Sequence, residues 1–134
     1  MNRDSLIRRY AGCQTFLTEG CLFLSLLSIA EEYSNETFDC LRVLEYARKM
    51  GYITDNNDLT IAGQTSLLKD LTGKTWERVV MSKLPTTVPD AMYTIEKWVN
   101  GKKTHFRRRF VDTLSNSITV RDGNLVEYYT YTWR

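Results

Sequence analysis

Cys21, His105, Asp122 and Gln14 are the residues of this chain equipped for acyl chemistry. A sulfur-based hydrolase needs a thiolate, an imidazole to share its proton and a third polar group to hold that imidazole. It also needs donors for the oxyanion. Cys21 follows Gly20 and opens the apolar run Leu22-Phe23-Leu24-Ser25-Leu26-Leu27-Ser28-Ile29-Ala30. A thiol at a helix start feels the positive end of the helix dipole and free N–H groups, and both favour thiolate. A glycine before it leaves room for a substrate backbone. His105 is the only histidine of the chain. It is expected to start a strand, and Asp122, 17 positions on, to end the next. A short turn between antiparallel strands would make the two neighbours. Gln14, seven positions before Cys21, is within reach of a carbonyl held over the thiol, so its amide could join the Cys21 N–H as an oxyanion donor.

Each of these residues also has an ordinary role. Free cysteines commonly only pack. His105 could be a plain strand histidine, and Asp122 could simply build the Asp122-Gly123 turn. Asp112 and Asn116 are rival orienters of the ring. Gln14 could cap a loop. Cys13 begins no long buried helix, and Cys40 reads as a packed residue on the second helix.

The elements that must position these groups follow from periodicity and punctuation. A helix apolar on nearly every face belongs in the middle of a domain. With Glu31-Glu32 following so soon, it is short of the roughly 20 apolar residues of a membrane span. A short helix is expected from Asp4 or Ser5 to Tyr10, and the buried helix from about Cys21 to Tyr33. Ser34-Asn35-Glu36-Thr37 would break it and cap a second helix carrying Phe38, Leu41, Leu44 and Ala47, ended by Gly51. A third spans Thr60 to Thr72, with Ile61, Leu67, Leu68 and Leu71 inward and Gly73 as its stop. After Gly73 the pattern turns to β-branched and aromatic residues. Strands are expected over Trp76–Ser82, Tyr93–Val99, Thr104–Asp112, Ser117–Arg121 and Val126–Trp133, with turns at Asn100-Gly101, Leu114-Ser115-Asn116 and Asp122-Gly123-Asn124. The expected fold is α+β in a single domain over 1–134. Helices over about 1–73, with the buried one central, pack on an antiparallel sheet over about 74–134.

Gln14, Gly20-Cys21 opening a buried helix, His105-Phe106 on a strand and Asp122 closing the next together resemble the papain-like cysteine peptidases. The small bacterial branch that includes the leader-peptide peptidase domains of bacteriocin exporters is the most similar in look, and a bacterial or phage source fits it. The resemblance spans about Cys13 to Asp122. It implies a papain-like fold, a thiolate–imidazolium pair at Cys21 and His105, Asp122 orienting the ring, Gln14 lining the oxyanion hole, and a peptide or protein substrate. Relatives usually carry an apolar strand after the histidine, where this chain has Arg107-Arg108-Arg109. Alternation would put Arg107 and Arg109 on the side of His105, where they could hold a thiolate or an acidic substrate, and Arg108 on the side of Phe106.

Composition narrows the rest. A hydrophobic share of 43% and a charged share of 25% are those of an ordinary globular domain. A net charge of +2 is too small by itself for a nucleic-acid binder. Three scattered cysteines and one histidine lack zinc-site spacing, no Gly-rich phosphate loop is present, and no metal or cofactor is expected. An odd cysteine count and no signal-like apolar N-terminus lead to the expectation of free thiols in a reducing cytoplasm. Two other functions fit parts of the chain. One is an inactive papain-like protein that binds a protein or nucleic acid through the arginine-rich strand; otherwise those arginines form a solvated edge that discourages aggregation. The other is a winged-helix DNA binder over Leu41–Gly73, which lacks the basic excess of a recognition helix.

Overall fold

A computed structural model describes residues 20–54, 58–101, 103–108 and 123–134, and gives the backbone alone for Gly20, Cys21, Lys103 and His105. Its elements are α1 (Gly20–Ser34), α2 (Cys40–Lys49), α3 (Ile61–Thr72), β1 (Trp76–Met81), β2 (Met92–Asn100), β3 (Lys103–Arg108) and β4 (Asn124–Trp133). The architecture is α+β, with helices first in sequence and an antiparallel sheet after them. The expected N-terminal helix, the strand Ser117–Arg121 and the turn Leu114-Ser115-Asn116 lie outside the described residues.

The helix α1 is the axis of the molecule. Every residue from Leu22 to Glu31 is buried. No solvated face is left, as the unbroken apolar run predicts. One side, Phe23, Leu24 and Leu27, packs with Cys40, Val43, Leu44 and Ala47 of α2, Ile53, and Leu67 of α3. The other, Leu22, Leu26, Ile29 and Ala30, packs with Leu68 and the sheet residues Trp76, Ile95, Phe106 and Tyr131. Past its end, Asn35 takes a positive φ of 52° and the Glu36 N–H returns to the Glu31 carbonyl. Glu31 is itself buried, and its carboxylate accepts the Phe38 N–H at 3.0 Å. That bond fixes the link to α2.

The α2 cap is Asp39, whose side chain accepts the Arg42 N–H at 3.1 Å, rather than a residue of Ser34–Thr37. The later start puts Cys40, Val43, Leu44 and Ala47 inward, and Leu41, expected inward, is 48% exposed. In α3 the Thr60 side chain caps by accepting the Gly63 N–H at 2.8 Å, and Gly73 closes the helix at φ 76°. Its inward residues include Leu67 and Leu68, while Ile61, expected inward, is 68% exposed at the first turn. Gly63 has a packing reason: a Cβ there would lie 2.6 Å from Thr60 Oγ1 and 2.8 Å from Tyr52 Cα.

The strand order is β1-β4-β2-β3, and all neighbours are antiparallel. The hairpin β2–β3 closes Asn100 on Lys103 through a turn in which Gly101 has φ 60°, a conformation glycine adopts without strain. The sequence anticipates this hairpin but not the insertion of β4 between β1 and β2. On β4 the residues alternate: Tyr131 belongs to the core against α1 with Tyr129 at its margin, and Thr130 bonds the Val79 carbonyl.

Candidate active site

Cys21 is the second residue of α1, so its backbone sits in the helix's first turn. His105 is the third residue of β3, in register with Trp98 on β2. Gln14, Asp122 and Arg109, with the rival residues Cys13, Asp112 and Asn116, lie outside the described residues. The structure therefore gives the elements that carry Cys21 and His105.

Those elements meet at Arg108, at the end of β3. Its side chain is only 4% exposed. Nη1 donates to Ser28 Oγ and Nη2 to Glu32 Oε2, each at 2.7 Å. Ser28 and Glu32 are one turn apart on α1 and so share a face. The Tyr93 ring lies 5.5 Å from the guanidinium carbon. Burial first, and then the Glu32 carboxylate, push the Tyr93 phenol above its ordinary range, while Arg108 pulls it back. From the contact with Arg108, Cys21 lies seven residues back along α1 from Ser28, about 10.5 Å of helix rise. His105 lies three residues back along β3, about 10 Å of strand. Leu22 and Leu26 share one core cluster with Phe106.

Arg108 is not part of a solvated edge. Arg108 is buried on the α1 side, on the side of Phe106 as alternation predicts. Arg107 is half-buried on the opposite side, where Nε donates to Glu96 Oε1 at 2.7 Å. Its guanidinium also stands 5.0 Å from the Trp98 ring. The Trp98 Nε1–H donates to the same Glu96 oxygen at 3.2 Å. Glu96 is itself buried. The sequence reading missed Glu96, Ser28 and Glu32. The Ser28/Glu32 spacing on a buried helix was the available signal for a polar partner from outside the helix.

Cys40 is disulfide-bonded, which corrects the expectation of free thiols and of a merely packed Cys40. The inference from free cysteines to a reducing compartment loses its footing with it. Three cysteines cannot all pair within one chain, so a single intrachain bridge leaves one thiol over. Among the described residues no group of three or more His, Cys, Asp or Glu could hold a metal ion, and no helix is long and apolar enough to cross a membrane. Compared with known proteins, the chain matches no family model, no curated protein and no solved structure. The papain-like resemblance stands on the quoted residues alone.

Proposed function

We propose that this chain is a cysteine-dependent peptidase, or a related acyl-cleaving hydrolase of papain-like type, acting on a peptide or protein. In this reading Cys21 is the nucleophile, which requires that it not be the partner of the Cys40 disulfide, and His105 shares its proton. Asp122 orients the ring, and Gln14 joins the Cys21 N–H in holding the oxyanion. The thiolate adds to the scissile carbonyl, and the imidazolium returns its proton to the leaving amine. Water then releases the acyl group with the imidazole as base.

The observation that carries the reading is that α1 and β3, the elements that bear Cys21 and His105, are joined through Arg108. The first-turn place of Cys21 adds the dipole's preference for thiolate. Alternation puts position 105 in the row of Arg107, the row opposite that of Arg108. A binder acting through the arginine-rich strand would need free guanidiniums, and that of Arg108 is held inside the fold while that of Arg107, partly exposed, is tied to Glu96.

The test is alkylation by iodoacetamide, read by peptide mapping at each cysteine, with and without a dithiol reductant. The expected outcome is labelling of Cys21 faster than Cys13 and Cys40, and slower in His105→Ala. A thiolate formed well below the ordinary thiol pKa of about 8.5 gives at least a tenfold rate advantage near neutral pH. Equal, slow labelling of all three in the reduced protein overturns the reading.

A further inference from the structure

Among the described residues β3 is an edge strand. The described structure ties it to β2 by its ladder and to α1 by the two hydrogen bonds of Arg108. A buried guanidinium is a costly way to obtain adhesion. An apolar side chain of similar length would fill the same space without desolvating a charge. Arg108 also leaves its Nε buried without a hydrogen-bond partner, an expense that stability alone does not explain. What the arginine supplies and an apolar residue does not is direction. Its planar fork can engage Ser28 and Glu32 together in one relative placement of strand and helix. A greasy contact at this point would let β3 slide along α1 by a fraction of a turn, because apolar packing alone is non-directional.

Resting on the reading of Cys21 and His105 given above, we infer that Arg108 is a positioning residue: it sets the height of β3 on α1 and thereby of His105 against Cys21. It touches no substrate and acts through the strand. The charged and titratable groups around it are Glu32 on α1 and Tyr93 on β2. Among the described residues, those in the strand row of position 105 are Arg107 on β3 and, opposite it on β2, Glu96. None of these is altered by the principal variant.

The experiment measures iodoacetamide labelling of Cys21 in the reduced full chain from about pH 5 to about pH 9, on either side of an ordinary thiol pKa. Wild type, His105→Ala, Arg108→Met and Arg108→Lys are compared, with circular dichroism to confirm folding. Wild type is expected to show a reactive limb at acid pH that His105→Ala removes. Arg108→Met is expected to stay folded and lose that limb by about tenfold or more, since a displacement near 1 Å costs this much in an aligned pair. Arg108→Lys recovers part of it, because a single ammonium replaces the fork. An Arg108→Met protein with the wild-type limb overturns the inference and leaves the catalytic reading standing. A wild type whose limb does not depend on His105 overturns the catalytic reading itself, and this inference with it. If Arg108→Met does not fold, Ser28→Ala and Glu32→Gln, each removing one bond of the fork, decide by the same measure: a weakened limb supports the inference and an unchanged one overturns it.

Discussion

The two sides of α1 are built from different materials. Toward α2 and α3 it meets a core of carbon and sulfur, with Phe23, Leu24 and Leu27 among Val43, Leu44, Ala47 and Cys40. Apart from the Glu31 link to the Phe38 N–H, that half keeps polar contacts on its skin, where Tyr46 and Tyr52 both donate to Asp70 Oδ2 at 2.6 Å. Toward the sheet, polar atoms are set inside the core. Gln64 Oε1 accepts Tyr131 Oη at 2.6 Å and Arg78 Nε at 3.0 Å, and Arg108 enters beside Ser28. Apolar contact is non-directional, while a buried hydrogen bond fixes angle and register. The helical side therefore supplies cohesion and the sheet side supplies alignment, and both proposed reactive residues sit on the pair of elements that is aligned.

If this division is right, truncation and polar deletion should separate the halves. Leu27→Ala, in the dry half, should cost about 3 kcal/mol or more, because a fully buried leucine leaves a cavity there. Chemical denaturation should show this as a lower midpoint with an unchanged slope. In the aligned half, Gln64→Leu should cost about 2 kcal/mol, since it strands the buried Tyr131 hydroxyl and one Arg78 donor. Tyr131→Phe keeps the Arg78 bond and should cost only about 1 kcal/mol. Equal losses for Gln64→Leu and Tyr131→Phe would mean that the network holds no more than one bond's worth of alignment.

The smallest effect belongs to the skin of the helical half. The hydrogen bond to Asp70, followed by burial, pushes the Tyr52 phenol from 10.0 up to about 12. The same bond raises Tyr46. A raised phenol contributes stability that is present below pH 10 and lost as the pH climbs through about 12. Ultraviolet titration of phenolate should place Tyr52 near 12 in wild type and return it toward 10 in Asp70→Asn. An unchanged titration curve would remove Asp70 from the account.

The same contrast explains what could be read from the residues beforehand. The dry half was legible almost entirely: an apolar run, capping side chains and helix-ending glycines are local signals. Its misses, Leu41 and Ile61, stand in the first turns of α2 and α3, where a shifted or capped start turns an apolar side chain outward. The aligned half was legible only as strands and one hairpin. Arg108 finds Ser28 and Glu32 across 80 and 76 positions, and no spacing rule reaches that far. An arginine among arginines reads as solvated surface, because charged side chains are almost never buried unless paired. Of the proposed site, the place of Cys21 in the first turn of α1 and of His105 on a strand followed from local pattern, and the device that holds the two elements did not.

The strand order carries a consequence for how the chain reaches this state. β1 and β2 follow one another in sequence, yet each pairs with β4, which comes after both. During synthesis the ribosome releases them with an empty lane between them, and the sheet stays in two pieces until that lane is filled. The helices can collapse early on local contacts, while Trp76 and Ile95 wait for Tyr131 to complete their layer. A nascent chain arrested just before β4 should therefore be helical, sticky along two unpaired edges, and a natural client for a holding chaperone.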